Sequence, residues 1–417
     1  MIQVGSRCTT WRIYMIKRIC VFTGNRAEYG LQVPILKEIK DREGLDYYLV
    51  VAGAHLDDSF GKSLQEIERD GFDIYKLISI NNDKDNLIST VQAIGNGILK
   101  LSEVFAELKP DIVIVYADRF EGFAAAIAAT QMNIPVAHIE GGDITEGGAL
   151  DDSVRHSISK LSHLHFTTNQ QATNRLLAMG EEPWRVHTIG IPSLETLSDI
   201  SVATPDEIKS QLGLDLDKEM IVFTQHSVTT EFDEAVDQII PSIEALKYWA
   251  NKGVQVVCTY PNNDAGGKEI IKKLHSELDS FDNVQIVPSL GRYLYHGLLK
   301  LNKLGYKLAC IGNSSSGIKE TPAFKCPAVN IGSRQNGRLS AHNTIHVGYN
   351  KEEIIAAIEQ CLFSPEFSDA CSEVKDPYDF GNAAKTLVDV LSTTEVNKVL
   401  IQKQMTLKGE VENGWFR

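Results

Sequence analysis

The densest run of chemistry-bearing side chains is His138-Ile139-Glu140-Gly141-Gly142-Asp143, followed shortly by Leu150-Asp151-Asp152-Ser153-Val154-Arg155-His156. Several carboxylates beside two histidines suit proton transfer and the stabilisation of developing positive charge. His138 and Glu140 alternate, which places both on one face of a strand end. A helix over the second run brings Asp151 to Arg155 and Asp152 to His156 at i,i+4. The plainer alternative is a capped, salt-laced helix start, with Asp151 or Asp152 as the N-cap. That fits one aspartate better than the whole cluster. Ala117-Asp118-Arg119-Phe120-Glu121 adds charge at the end of the apolar run 111–116, a place where polar groups belong to sites more often than to cores. His163 and His165, on one face of the next strand start, read as packed histidines.

A second group of motifs suits an anion. Gly24-Asn25-Arg26-Ala27-Glu28-Tyr29-Gly30 follows the first apolar strand and opens a helix, so backbone N–H groups and a guanidinium can meet negative charge there. Alone it is weak, because an arginine at a strand end is as often structural. The run is not G-x-G-x-x-G, which disfavours a nicotinamide or flavin. Gln225-His226-Ser227-Val228-Thr229-Thr230 follows a later strand. Gly312-Asn313-Ser314-Ser315-Ser316-Gly317, ahead of Ile318-Lys319-Glu320, offers N–H groups and hydroxyls to a diphosphate. Glu320 can take up ribose hydroxyls, as acidic groups do in other nucleotide sites. Arg334 and Arg338 stand at the end of the next strand. No H-E-x-x-H, P-loop, DFG, G-x-S-x-G or spaced Cys/His metal motif occurs.

Short apolar runs alternating with amphipathic stretches position these motifs. Strands are expected at 18–23, 46–52, 111–116, 135–139 and 165–168, and again at 220–225, 254–259, 284–287, 308–311 and 328–331, with helices between. The pattern restarts at Met220, so two doubly wound α/β domains are expected, with ligand in the cleft between them. The boundaries read as 1–14, a loose extension; 15–195, the first domain; 196–395, the second; and 396–417, a polar tail. Residues 1–14 lack the apolar core of a signal peptide.

Composition narrows the partners. The 417 residues carry 41 Lys+Arg against 55 Asp+Glu, a net charge of −14, which disfavours a surface tracking nucleic acid. One nucleotide in a local basic pocket remains compatible. Seven scattered cysteines without a C-x-x-C pair read as reduced thiols of a cytoplasmic protein. No apolar stretch approaches the roughly 18 residues of a membrane span.

Taken in order, GNRAEYG, GAHLDDSFG, DRFE, HIEGG, DDSVRHSISKLSHLH, QHSVTT, GNSSSGIKE and GSRQNGR resemble the hydrolysing UDP-N-acetylglucosamine 2-epimerases of the sialic-acid and legionaminic-acid pathways. The similarity runs from about Lys17 to Arg338. It implies two Rossmann-like domains in the GT-B arrangement, an interdomain active site, no cofactor or metal, and a homodimer or homotetramer. By resemblance, Arg26, Arg119, His226, Ser314, Ser315, Glu320 and Arg334 hold UDP. Asp118, Glu140 and Asp151 fall on acid/base and charge-stabilising positions, with Asp152 and His138 in the same catalytic set and His55, His163 and His165 nearby. Ala117 stands where the family often has glycine, and His226-Ser227 where it often has His-Pro. The implied reaction is anti-elimination of UDP followed by hydration of a glycal, giving a C2-inverted N-acetylmannosamine-type sugar. Two donors fit, UDP-N-acetylglucosamine and UDP-N,N′-diacetylbacillosamine. A GT-B glycosyltransferase would share the fold and the UDP pocket but has no need of C2 deprotonation. A silent UDP-sugar sensor has no need of the carboxylates.

Overall fold

The computed structural model describes residues 16–56, 63–80, 87–145, 150–195, 202–262 and 266–406. The expected loose extension 1–14, part of the expected join (196–201) and the tail end 407–417 lie outside the described residues.

Seven parallel strands form the first sheet: β1 (Lys17–Thr23), β2 (Leu45–Ala52), β3 (Ile74–Ile78), β4 (Ile112–Tyr116), β5 (Val136–Ile139), β6 (Leu164–Thr167) and β7 (Val186–Thr188), in the order β3-β2-β1-β4-β5-β6-β7. Six more form the second: β8 (Met220–Thr224), β9 (Gln255–Thr259), β10 (Val284–Val287), β11 (Leu308–Gly312), β12 (Ala328–Ile331) and β13 (Thr344–Val347), ordered β10-β9-β8-β11-β12-β13. Helices cover both faces, so each inner strand is apolar on both sides. In β1, Ile19 and Val21 join one core cluster while Cys20 and Phe22 join the other. In β8, Ile221 and Phe223 part from Met220 and Val222 in the same way. The period of two places successive side chains on opposite faces.

Strand order reverses between β1 and β4, and between β8 and β11. The loops leaving those strands diverge there and open a crevice at their carboxyl ends. Gly24, Ala117-Asp118, His226 and Asn313-Ser314 all leave these four strands. The motifs therefore meet at the two switch points.

The chain then returns to the first domain. The helix Ala383–Thr393 buries Ala384, Leu387, Val388 and Leu391 in the first-domain core, beside Ile35, Leu36 and Ile39. Lys17 Nζ donates to the carbonyls of Leu391, Ser392 and Thr394 at 2.7–3.0 Å, satisfying orphan acceptors at that helix's end. Beyond it, buried Arg185 donates to the carbonyls of Val399 and Leu400 at 2.8 Å, and Lys403 Nζ meets the Glu181 carboxylate at 2.7 Å. The ranges 196–395 and 396–417 thus part from the packing. An amphipathic helix shows its apolar stripe in the sequence but not which core receives it. Among the described residues, no helix is long and apolar enough to cross a membrane, and the cysteines are free and buried.

Candidate active site

β5 ends at Ile139, and Glu140 takes the left-handed backbone with φ +61°. Alternation stops there, so His138 and Glu140 do not share a face. The His138 ring is fully buried. Its Nε2 donates to the Ala117 carbonyl at 2.7 Å, and its Nδ1 meets Ser159 Oγ at 3.0 Å. Burial pulls the imidazole down to about 3, against the bond to Ala117, so it is neutral near pH 7. His138 is a strut under the Ala117-Asp118 turn. Ala117 itself has φ +54°, a conformation glycine adopts without cost.

Glu140 is 5% exposed; its Oε1 accepts from Tyr116 Oη at 2.8 Å. Arg155, fully buried on the helix Leu150–Leu161, ties the neighbouring acids together. Its guanidinium donates to Asp118 Oδ2, to the Glu140 carbonyl at 3.2 Å and to Thr145 Oγ1 at 3.0 Å. It also stands 3.8 Å from the Glu140 carboxylate and 4.0 Å from that of Asp152. The expected pairing is shifted: Asp152 meets Arg155 at i,i+3, and its Oδ1 accepts the Thr145 N–H at 2.7 Å. Asp152 therefore fixes the loop after Asp143. Asp151, one residue earlier on the first turn, is half-buried.

The glycine turn after β1 is held by a reciprocal cap. Asn25 Oδ1 accepts the Glu28 N–H at 3.2 Å, while Glu28 Oε2 accepts the Gly24 N–H at 3.0 Å. A Cβ on Gly24 would lie 2.4 Å from Glu121 Cβ, so only glycine lets these loops touch. Arg119 Nε stands 3.8 Å from Glu121 Oε2. The Arg26 backbone opens the helix Arg26–Asp41, but its side chain lies outside the described atoms. Burial first, and Glu121 second, push the Glu28 carboxyl up to about 8. A raised carboxyl contributes stability below its unfolded value of about 4.5, and loses it as pH rises through about 8. Glu28→Gln keeps the acceptor for Gly24 and removes the titration. The variant should melt with the native protein at pH 5 and above it at pH 8–9. A difference in melting temperature independent of pH would remove this account.

His163 Nδ1 accepts the Val136 N–H at 3.1 Å, and His165 Nε2 meets the Glu181 carboxylate at 2.9 Å. Burial lowers both, His163 to about 4. They pack, as their place in the pattern implied. His55 Nε2 meets Thr23 Oγ1 at 3.0 Å beside the glycine turn.

In the second domain, Gly312 has φ +130°, and a Cβ there would fall 1.9 Å from the Thr224 carbonyl. That close approach joins the loops after β8 and β11. Asn313 then clamps His226 from both sides: its Oδ1 accepts the His226 N–H at 2.7 Å and its Nδ2 donates to the His226 carbonyl at 2.9 Å. His226 Nδ1 accepts the Asn262 N–H at 2.9 Å, which leaves the ring proton on Nε2. Arg334 Nη1 and Gln335 Nε2 both donate to the Asn313 carbonyl, at 3.1 and 2.8 Å. Ser314 and Ser315 are half-buried beside them. Glu320 Oε2 accepts from His296 Nε2 at 2.9 Å. Burial opposes the Glu320 charge, yet the bonds from His296 and Ser316 and the Lys319 charge outweigh it and hold the carboxyl below its usual range.

Arg292 crosses between the domains to Asp70 at 3.2 Å, and two further cations cross at the cleft. Lys319 Nζ lies 3.0 Å from Glu140 Oε2 and 3.3 Å from Asp143 Oδ2, while Asp143 also accepts from Thr168 Oγ1 at 2.9 Å and Asn169 Nδ2 at 3.1 Å. Arg338 donates to the Ile144 carbonyl at 2.8 Å and to Thr145 Oγ1 at 2.6 Å. Asp118, Glu140, His226, Ser314, Ser315, Glu320 and Arg334 are thereby gathered around one cleft, Asp152 and His138 serve it from behind, and Arg119 sits with Glu121 at its first-domain edge. Tyr116, Asp143, Asn313, His296 and Lys319 were not singled out as site residues from the sequence, although all but Tyr116 and His296 fall inside the quoted motifs.

A family profile described as UDP-N-acetylglucosamine 2-epimerase matches residues 37–392. The chain belongs to this epimerase family. It is 33% identical over 389 residues to the UDP-N,N′-diacetylbacillosamine 2-epimerase (hydrolyzing) of Legionella pneumophila, covering 93% of this chain and 99% of the relative. It is 32% identical over 392 residues to a UDP-N-acetylglucosamine 2-epimerase of Neisseria meningitidis serogroup B, covering 93% and 98%. The crystal structure of UDP-GlcNAc 2-epimerase from Neisseria meningitidis bound to UDP-GlcNAc aligns with a TM-score of 0.78 at 21% identity, covering 91% of this chain and 100% of that one. The two parallel α/β domains of this family member are therefore Rossmann-like domains in the GT-B arrangement.

Proposed function

We propose that this epimerase-family protein is a hydrolysing UDP-N-acetylhexosamine 2-epimerase that releases UDP and a C2-inverted, N-acetylmannosamine-type sugar for nonulosonic-acid synthesis. The observation that carries the reading is the meeting of two unlike half-sites. A serine turn clamped to His226 and Arg334 lies on one side of the cleft, and Asp118 and Glu140, tied by Arg155, lie on the other. The Legionella and Neisseria relatives carry in their names the same two donors that fit the sequence motifs, UDP-N,N′-diacetylbacillosamine and UDP-N-acetylglucosamine.

The hydrogen on C2 of an N-acetyl sugar is not acidic, so departure of UDP leads. Arg26, Arg119, His226, Ser314, Ser315 and Arg334 hold the nucleotide and its leaving oxygens, and Glu320 takes the ribose. The C1–O bond breaks and its electron pair leaves with UDP. Asp118, Glu140 and Asp151 stabilise the cationic C1 while one of them takes the C2 proton, and a C1=C2 double bond forms. Water then adds to C1 and a proton to the opposite face of C2. Asp152 and His138 hold the loops that carry these acids.

The reading places the protein in the cytoplasm, in keeping with its free cysteines, as a homodimer or homotetramer in keeping with the resemblance. The test is NMR of turnover in deuterated water with both donors. Released UDP and a C2-inverted sugar carrying deuterium at C2 are expected from one of them. A product lacking that deuterium, or retaining C2 configuration, would shift the case to donor hydrolysis by a glycosyltransferase-like enzyme.

A further inference from the structure

Lys319 comes from the second domain yet ends among first-domain acids. It closes the short helix Ser316–Lys319 after the serine turn, is 7% exposed, and lies within 3.3 Å of both Glu140 and Asp143. Its own N–H donates to the Ser315 carbonyl at 2.8 Å, so displacement of the serine turn displaces the lysine.

The charges that face this contact come from several elements. Asp118, Glu140, Asp143 and Asp152 supply the carboxylates. On the first-domain side, Arg155 meets three of them and Arg175 binds the Gly142 carbonyl. Tyr116 hydrogen-bonds Glu140, and the Tyr378 ring lies 5.8 Å from Lys319 Nζ. Arg338 reaches the Thr145 hydroxyl from the second domain, and Glu320, next to Lys319, is held by His296. Among these groups, Lys319 is the second-domain cation that touches the Glu140 carboxylate directly.

We propose that Lys319 is a positioning residue that couples nucleotide binding at the serine turn to the placement of the Glu140 and Asp143 carboxylates across the cleft. This rests on the functional reading above. A diphosphate bound at Ser314 and Ser315 fixes the turn that carries Lys319, and the ammonium, hydrogen-bonded to both carboxylates, holds Glu140 in place for the sugar.

Lys319→Met keeps the stem and removes the charge; Lys319→Arg keeps the charge. Lys319→Met should lower kcat by about 10-fold, and Lys319→Arg should restore it. Titrating UDP alone by calorimetry gives a second readout that needs no turnover. In Lys319→Met its affinity should be about 3–10-fold weaker than native, and Lys319→Arg should again restore it. Melting curves separate coupling from misfolding, and Lys319→Arg supplies the folded control. An unchanged UDP affinity in Lys319→Met, or a loss that Lys319→Arg does not restore, would overturn the coupling. If the native protein binds UDP more tightly than Lys319→Met but turns over neither donor, the functional reading fails while the coupling stands. If it does not bind UDP, both fail.

Discussion

Asp118→Asn and Glu140→Gln should each lower turnover about 10²-fold or more while UDP affinity stays within a few-fold of native. The amides keep size and part of the hydrogen bonding but lose charge and basicity. Asp118 accepts from Arg155, and Glu140 lies between Tyr116 and Lys319, so both carboxylates are fixed before any sugar arrives. The groups proposed to hold UDP stand mainly on the other domain, around Asn313. A loss confined to kcat is what an interaction made only in the transition state produces. Equal losses in kcat and UDP affinity would instead place these acids on the nucleotide. Because Asp118→Asn leaves Arg155 with one charged partner fewer, the kinetics need a melting curve beside them; Arg155 retains the Glu140 carbonyl, Thr145 and Asp152.

The inner strands were legible because their apolar runs are buried on both faces. β1, β4, β5, β8, β11 and β12 fall where those runs predict them, within a residue or two. Three strands were not foreseen: β3 (IYKLI), β7 (VHT) and β13 (TIHV). All are edge strands, half-exposed and short, with too little apolar patterning to stand out from a loop. The returning C-terminal segment was missed for another reason. The apolar stripe of its helix Ala383–Thr393 does not say which core receives it, and beyond that helix the ties to the first domain are backbone carbonyls that meet Arg185, and Lys403, neither of which leaves a periodic signature.

Within the site, residue types were easier to read than directions. His138 sits in the motif with Glu140, yet the left-handed turn at Glu140 sends one side chain into the fold and the other to the cleft. The lysine in Gly317-Ile318-Lys319 was visible as a charge beside the serine run, but nothing local states that its partner is about 180 residues away. Asn313 is similar: an asparagine in a polar turn reads as turn chemistry, while here it clamps another loop's backbone.

Arg155→Met should destabilise the protein by about 3–5 kcal/mol, lowering the melting midpoint on the order of 10 °C, and abolish measurable turnover. The guanidinium is fully buried and meets the carboxylates of Asp118, Glu140 and Asp152. Its removal leaves those charges in a poorly solvated place, and the resulting penalty exceeds the lost attraction. Lysine does not substitute well, because a single ammonium cannot span the fork that reaches Asp118, Thr145 and the Glu140 carbonyl together. The cause is separable from lost packing. If stranded charge dominates, Arg155→Met combined with Asp118→Asn should be more stable than Arg155→Met alone, a non-additivity of about 1–3 kcal/mol. A double variant no more stable than Arg155→Met would show that Arg155 acts through its bulk and its bonds to Thr145 and the Glu140 carbonyl.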